Sequence, residues 1–176
     1  MSKNKVVVIL DNIRSRENVG SIFRTADAAG VSKLYLCGIT PTPMTMKHES
    51  WNSNQKTGFK FQDSSDKISK TALGAEKWVP WQYRAKTWQV LRELKSLKFK
   101  VVGLENTTSA KNIFSVRFNS SAGGPLALVV GNEVKGLSPQ ILKYCDKVVA
   151  IPMRGQKESL NVAVAFGIAI YQMSTF

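Results

Sequence analysis

The chain has 176 residues, 43% of them apolar, with 25 lysines and arginines against 12 acidic residues and a net charge of +13. That length suits one compact domain with a full core, and the charge makes a polyanion, nucleic acid before any other, the expected partner. A single histidine (His48) and two distant cysteines (Cys37, Cys145) leave no Cys/His zinc site, so no metal is expected and the thiols are expected free and buried.

Short β-branched runs alternate with helix-like segments, the pattern of an α/β domain with a mainly parallel sheet flanked by helices. A strand is expected at Lys5–Leu10, a helix at Val19–Ala29 and a strand at Lys33–Cys37. Thr40–Ser65 is rich in Thr, Ser, Asn, Pro and Lys, with Trp51, Phe59 and Phe61 among them, and reads as a long loop. Two readings of it stand: lysines and aromatics that grip an RNA strand, or a surface excursion whose aromatics tuck onto the core. A helix follows at Lys67–Gly74, a strand at Lys77–Trp81 and a helix at Ala85–Leu97. In that helix Trp88, Leu91, Leu94 and Leu97, at intervals of three, are expected to form the core face. Strands at Lys100–Leu104, Leu126–Val130 and Lys147–Ile151 and helices at Pro139–Tyr144 and Leu160–Met173 complete the series. No repeat or linker divides it, so residues 1–176 are expected to form a single domain.

The last helix is apolar on nearly every side from Val162 to Tyr171, which asks for cover all round by a partner subunit or by the core itself. No apolar run reaches the length of a membrane span, and Val6–Leu10 is too short for a signal segment, so a reducing cytoplasm or organelle matrix is expected, the cytoplasm first.

Several site types are absent. Gly131–Ser138 (GNEVKGLS) has neither the G-x-G of a dinucleotide fingerprint nor the Lys-Ser/Thr of a phosphate loop. There is no G-x-S-x-G elbow, and the lone histidine lies in the long loop, which disfavours a Ser-His-Asp hydrolase. Chemistry that needs neither histidine nor metal remains, and alkyl transfer from an activated donor asks mainly for positioning.

Three segments share one construction: a strand or turn, then small polar residues, then a helix. They are NVGSIFRTADAAGV (Asn18–Val31), ALVVGNEVKGLS (Ala127–Ser138) and IPMRGQKESLNV (Ile151–Val162). Asn18 suits an N-cap, Gly20 allows a close backbone approach, and Arg24 lies six residues beyond Asn18, roughly 9 Å along a helix axis. Taken singly, Arg24 reads as a surface cation, Glu133 as a turn residue, and Ser159 and Asn161 as helix caps.

In this order the three blocks resemble the SpoU/TrmH family of RNA ribose 2′-O-methyltransferases of the SPOUT class, and the resemblance spans nearly the whole chain. It implies an α/β fold with a C-terminal trefoil knot, a homodimer, and S-adenosylmethionine held in the knot loops. Carried over by position, the cofactor is expected at Leu104, Glu105, Gly131, Ile151, Met153 and Leu160. Arg24 takes the place of the family's catalytic arginine, with Asn18, Glu133, Ser159 and Asn161 supporting the site. Two roles stay open for Arg24: a base with a depressed pKa, or a cation that holds ribose and phosphate and stabilises charge on the 2′-oxygen. Transfer RNA is favoured over ribosomal RNA, since a short basic enzyme suits a compact RNA. Val134-Lys135 departs from the small or acidic pair usual at that point, and Met44–Ser65 exceeds the usual connection. Many relatives carry an N-terminal RNA-binding domain, whereas this chain begins at its first strand. A non-catalytic RNA-binding module with the same fold is the alternative, and a Rossmann-type enzyme for small substrates is disfavoured by the missing fingerprint and the charge.

Overall fold

A computed structural model of the chain describes residues 5–43, 66–118 and 124–173. The elements are β1 (Val6–Asp11), α1 (Arg16–Ala28), β2 (Lys33–Cys37), α2 (Asp66–Ala72), β3 (Trp81–Arg84), α3 (Thr87–Ser96) and β4 (Lys100–Leu104), followed by β5 (Lys111–Asn112), β6 (Leu126–Val130), α4 (Pro139–Leu142), β7 (Lys147–Ala150) and α5 (Val162–Met173). The seven strands form one sheet in the order β3-β2-β1-β6-β4-β7-β5, and every pairing is parallel.

The reason lies in the strands themselves. VVVIL in β1 and LALVV in β6 are apolar at every position, so neither face tolerates water, and helices must cover both. The two-residue alternation divides the side chains. Val6, Val8 and Leu10 pack with α1, α2 and α5, while Val7 and Ile9 pack with α3 and α4. Phe23 of α1 and Phe166 of α5 are fully buried against each other's layer, each contributing about 1.5–3 kcal/mol of apolar burial. A Cβ on Gly20 would collide with Thr71 Oγ1 and the Ile68 carbonyl, so the close approach expected at Gly20 is made by α2.

Some expected elements shift. The strand expected at Lys77–Trp81 begins only at Trp81, and Ala75–Lys77 is a 3-10 turn. Gly74 (φ 94°) starts that turn, and Pro80, which has no N–H for a ladder, gives only its carbonyl to Leu34 before pairing begins at Leu34–Trp81. The core face of α3 is Thr87, Val90, Leu91 and Leu94, while Leu97 is 60% exposed; a strict interval of three drifts off a 3.6-residue turn. β5, two residues long, carries no periodic signal and was not expected. The Thr40–Ser65 loop is described only to Pro43, and Trp51, Phe59, Phe61 and His48 lie outside the described residues.

Candidate active site

The loop that follows β6 organises the carboxyl edge of the sheet. Asn132 folds it back: its Oδ1 accepts from the amides of Val134 (3.0 Å) and Lys135 (2.9 Å), and its carbonyl from Gly136 N–H (2.9 Å). Its Nδ2 donates to the Asn12 carbonyl at 2.8 Å, tying the loop to the end of β1. The return is so tight that a Cβ on Gly131 would lie 2.6–2.8 Å from backbone atoms of Gly136 and Leu137. Only glycine fits there. At the end of β4, Glu105 closes the turn from the other side, accepting from Leu137 N–H at 2.5 Å and Asn106 N–H at 3.0 Å.

Glu133 reaches from this loop to the start of α1. Its carboxylate accepts from the amides of Arg14 (2.9 Å) and Ser15 (3.0 Å) and from Asn18 Nδ2 (3.1 Å). A carboxylate at a helix N-terminus also meets the positive end of the helix dipole. Burial pushes the Glu133 carboxyl up, but the Ser15, Arg14 and own-backbone amides and the Asn18 side chain outweigh it and hold it below its ordinary value. Asn18 Oδ1 in turn accepts from Asn161 Nδ2 at 3.1 Å. Asn161 Oδ1 takes the amides of Ala163 (2.9 Å) and Val164 (3.4 Å), so one chain of hydrogen bonds links the β6 loop, α1 and α5.

Two capping expectations change. Ser15, not Asn18, caps α1, accepting from Asn18 N–H at 3.1 Å. This frees the Asn18 side chain for Glu133 and Asn161. Asn161, not Ser159, caps α5, which begins at Val162 and not Leu160.

Beside this chain a cleft of about 320 Å³ opens between the ends of β4, β6 and β7 and the start of α5. Leu104, Glu105, Gly131, Ile151, Met153 and Leu160 all line it, as do Glu133 and Ser159. Asn18 and Asn161 stand outside its wall and join it through Glu133. Arg24 is exposed on α1, away from the lining, and pairs with no described carboxylate. The lining carries three glutamates (Glu105, Glu133, Glu158) and no lysine or arginine, in a protein of charge +13. Asn106, which no sequence signal singled out, donates to the Glu158 carbonyl at 3.3 Å and holds that segment over the cleft. Asn132 lay inside a quoted motif, yet its turn-forming role needed the fold to be seen.

Across the same loop lies a second hollow, of about 590 Å³, at the ends of β1, β2 and β3 and the start of α3. Asn132, Val134 and Gly136 line both. No local sequence pattern marks the second hollow.

The chain matches the SpoU rRNA methylase family over residues 5–61 and 55–171. It is 32% identical over 95% of its length to a tRNA (guanosine(18)-2′-O)-methyltransferase of Aquifex aeolicus, covering 67% of that protein. To a 23S rRNA (guanosine-2′-O-)-methyltransferase of Haemophilus influenzae it is 31% identical over 97% of its length, covering 60% of the relative. Among solved structures, the A. aeolicus TrmH/SpoU tRNA modifying enzyme superposes with a TM-score of 0.73 at 30% identity, over 98% of this chain and 76% of that one. An AdoMet-bound rRNA methyltransferase from Sinorhizobium meliloti does so with a TM-score of 0.79 at 26% identity, over 98% and 56%. The chain thus spans roughly three fifths of the length of its curated relatives, from 57% to 67%. Three ordered motifs, an all-parallel sheet with a cleft at its carboxyl edge, and this match together make the chain a member of the SpoU rRNA methylase family.

Proposed function

We propose that the chain transfers a methyl group from S-adenosylmethionine to a ribose 2′-hydroxyl of RNA. The observation that carries this reading is the cleft: an acidic pocket in a basic protein fits a small cation, and a sulfonium is one. Leu104, Ile151 and Leu160 give an apolar wall for an adenine, and Glu105, Glu133 and Glu158 a negative field for the cationic end. When bound, the cofactor supplies an electrophilic methyl carbon on a positively charged sulfur.

The chain's own residues then have positioning work. Glu133, Asn18 and Asn161 hold three elements in register, so that a ribose entering over α1 meets a fixed edge of the cleft. Arg24, without a described carboxylate partner, is free to take a phosphate and to stabilise negative charge growing on the 2′-oxygen. That role needs no loss of its proton, and we adopt it over the general-base role. Relatives named for tRNA and for 23S rRNA match at 32% and 31% identity, so the acceptor proposed is RNA as a class, with no preference for tRNA.

The remaining features of the reading are a single SPOUT-type domain, a trefoil knot formed by the cleft-bearing C-terminal segments, a homodimer and a cytoplasmic place. Val164 and Tyr171 on α5 are 52% and 53% exposed, and a second copy would cover them. Cys37 and Cys145 are free thiols, as a reducing compartment requires, and no helix among the described residues is long and apolar enough to cross a membrane.

The test is transfer of labelled methyl from S-adenosylmethionine to size-fractionated RNA lacking the modification. Label that makes one phosphodiester linkage alkali-resistant is the expected result. Cofactor binding without transfer to any RNA fraction would leave the non-catalytic RNA-binding module standing.

A further inference from the structure

The second hollow has a built floor, a wall and a rim. At the floor is Asp11, at the end of β1 and 4% exposed. Its Oδ1 accepts from Thr87 Oγ1 (2.5 Å) and Asn12 Nδ2 (2.9 Å), whereas its Oδ2 accepts no hydrogen bond from a described residue. A carboxylate oxygen with no donor from a described residue, at the floor of a cavity, is open to a donor from whatever fills that cavity. Burial also raises the Asp11 pKa, the mark of an anion short of donors, with the Thr87 and Asn12 bonds only partly offsetting it. Trp88, half-buried on α3 with Arg92 over its ring at 5.2 Å, forms part of the wall, and Arg14, Lys86 and Lys135 are exposed at the rim.

This arrangement eliminates several occupants. The carboxylate repels a free phosphate or carboxylate ligand from the floor. Among the described residues no group of three acidic, histidine or cysteine side chains gathers to hold a metal ion. What fits is a flat ring that gives N–H groups inward, lies on an indole and leaves its phosphates outward among cations. We infer that the second hollow takes a nucleobase of the RNA, from a nucleotide close to the one methylated; this deepens the RNA reading above and rests on it. Proximity follows from the shared loop, since Asn132, Val134 and Gly136 separate this cavity from the cleft by one turn of chain. An acceptor-only oxygen favours bases with an amino group, guanine, adenine or cytosine, over uracil, whose ring N–H is flanked by two carbonyls.

The experiment measures binding of labelled oligoribonucleotides of one length and differing base, in the presence of S-adenosylhomocysteine, whose own affinity is titrated separately. Trp88→Leu weakens RNA binding about tenfold and Lys135→Ala about threefold, both with unchanged cofactor affinity. Asp11→Asn narrows the discrimination against uridine; should that variant not fold, the other two still decide. Wild-type affinity and base preference in Trp88→Leu and Lys135→Ala overturn the inference alone, as does an equal loss of cofactor and RNA binding in variants that keep the wild-type melting temperature, which leaves no separate base subsite. A wild-type chain that binds cofactor but no RNA overturns both this subsite and the RNA reading. One that binds RNA but no cofactor overturns the methyltransferase reading and leaves the base subsite to be decided by the variants.

Discussion

Two hollows share one loop and differ in charge. The cleft on the β4–β7 side holds three glutamates and no cation, and the cavity on the β1–β3 side holds one buried aspartate under a rim of arginine and lysines. On a protein of charge +13, the negative field of the first suits the proposed small cation and the cationic rim of the second suits the proposed polyanion. Asn132 and Glu105 take the loop's own amides, and Glu133 ties the loop to the amides of Arg14 and Ser15 ahead of α1.

The sharpest attack on this division is Arg24→Ala. Because Arg24 is exposed and unpaired with any described carboxylate, its removal should leave melting temperature and cofactor affinity unchanged. Methyl transfer should fall about 10²–10³-fold, the loss typical of one group that stabilises developing charge. An equal fall in cofactor affinity would put Arg24 on the cleft side and break the comparison. Next in size is Ala165→Leu, which sends a larger side chain into the cleft from α5. Overpacking of about 1–3 kcal/mol would weaken cofactor binding roughly 10–100-fold, with RNA affinity preserved. Calorimetry and anisotropy on the same preparation check the pair.

A smaller effect is expected at Glu133. Its carboxyl pKa is lowered in the folded chain, so its contribution to stability is present above the ordinary carboxylate range and is lost as pH falls through the lowered value. Glu133→Gln should lower stability by about 1–2 kcal/mol at neutral pH and flatten the acid limb of the melting curve. Parallel acid limbs in the two proteins would remove Glu133 as the link between loop and helix. Smallest of all, Lys135→Ala should reduce the slope of RNA affinity against salt by about 0.7–0.9, one phosphate contact, measured across a salt series.

The parts of this picture legible in the sequence are those written in local pattern. The β2, β4 and β6 strands were bounded correctly because their apolar runs stop at polar or glycine residues. All six expected cofactor residues line the cleft, although motif order and not spacing pointed to them. What stayed hidden depends on distant partners. Ser15 displaced Asn18 as the cap of α1, and Asn18 serves instead to join Glu133, 115 residues away, to Asn161, 143 residues away. Leu97 reads as core by its chemistry, yet lies exposed because the helix has turned past the sheet by that point. The floor carboxylate of the second cavity was invisible for the same reason: Asp11 ends an apolar strand, and nothing nearby in sequence announces Thr87.

The most direct test of the account is a calorimetric titration of S-adenosylmethionine into the wild-type chain, Ala165→Leu and Lys135→Ala. One binding site is expected in the wild type, the same affinity in Lys135→Ala, and binding at least about tenfold weaker in Ala165→Leu. Equal affinity in all three, or none in a folded wild type, would contradict the assignment of the acidic cleft to the cofactor.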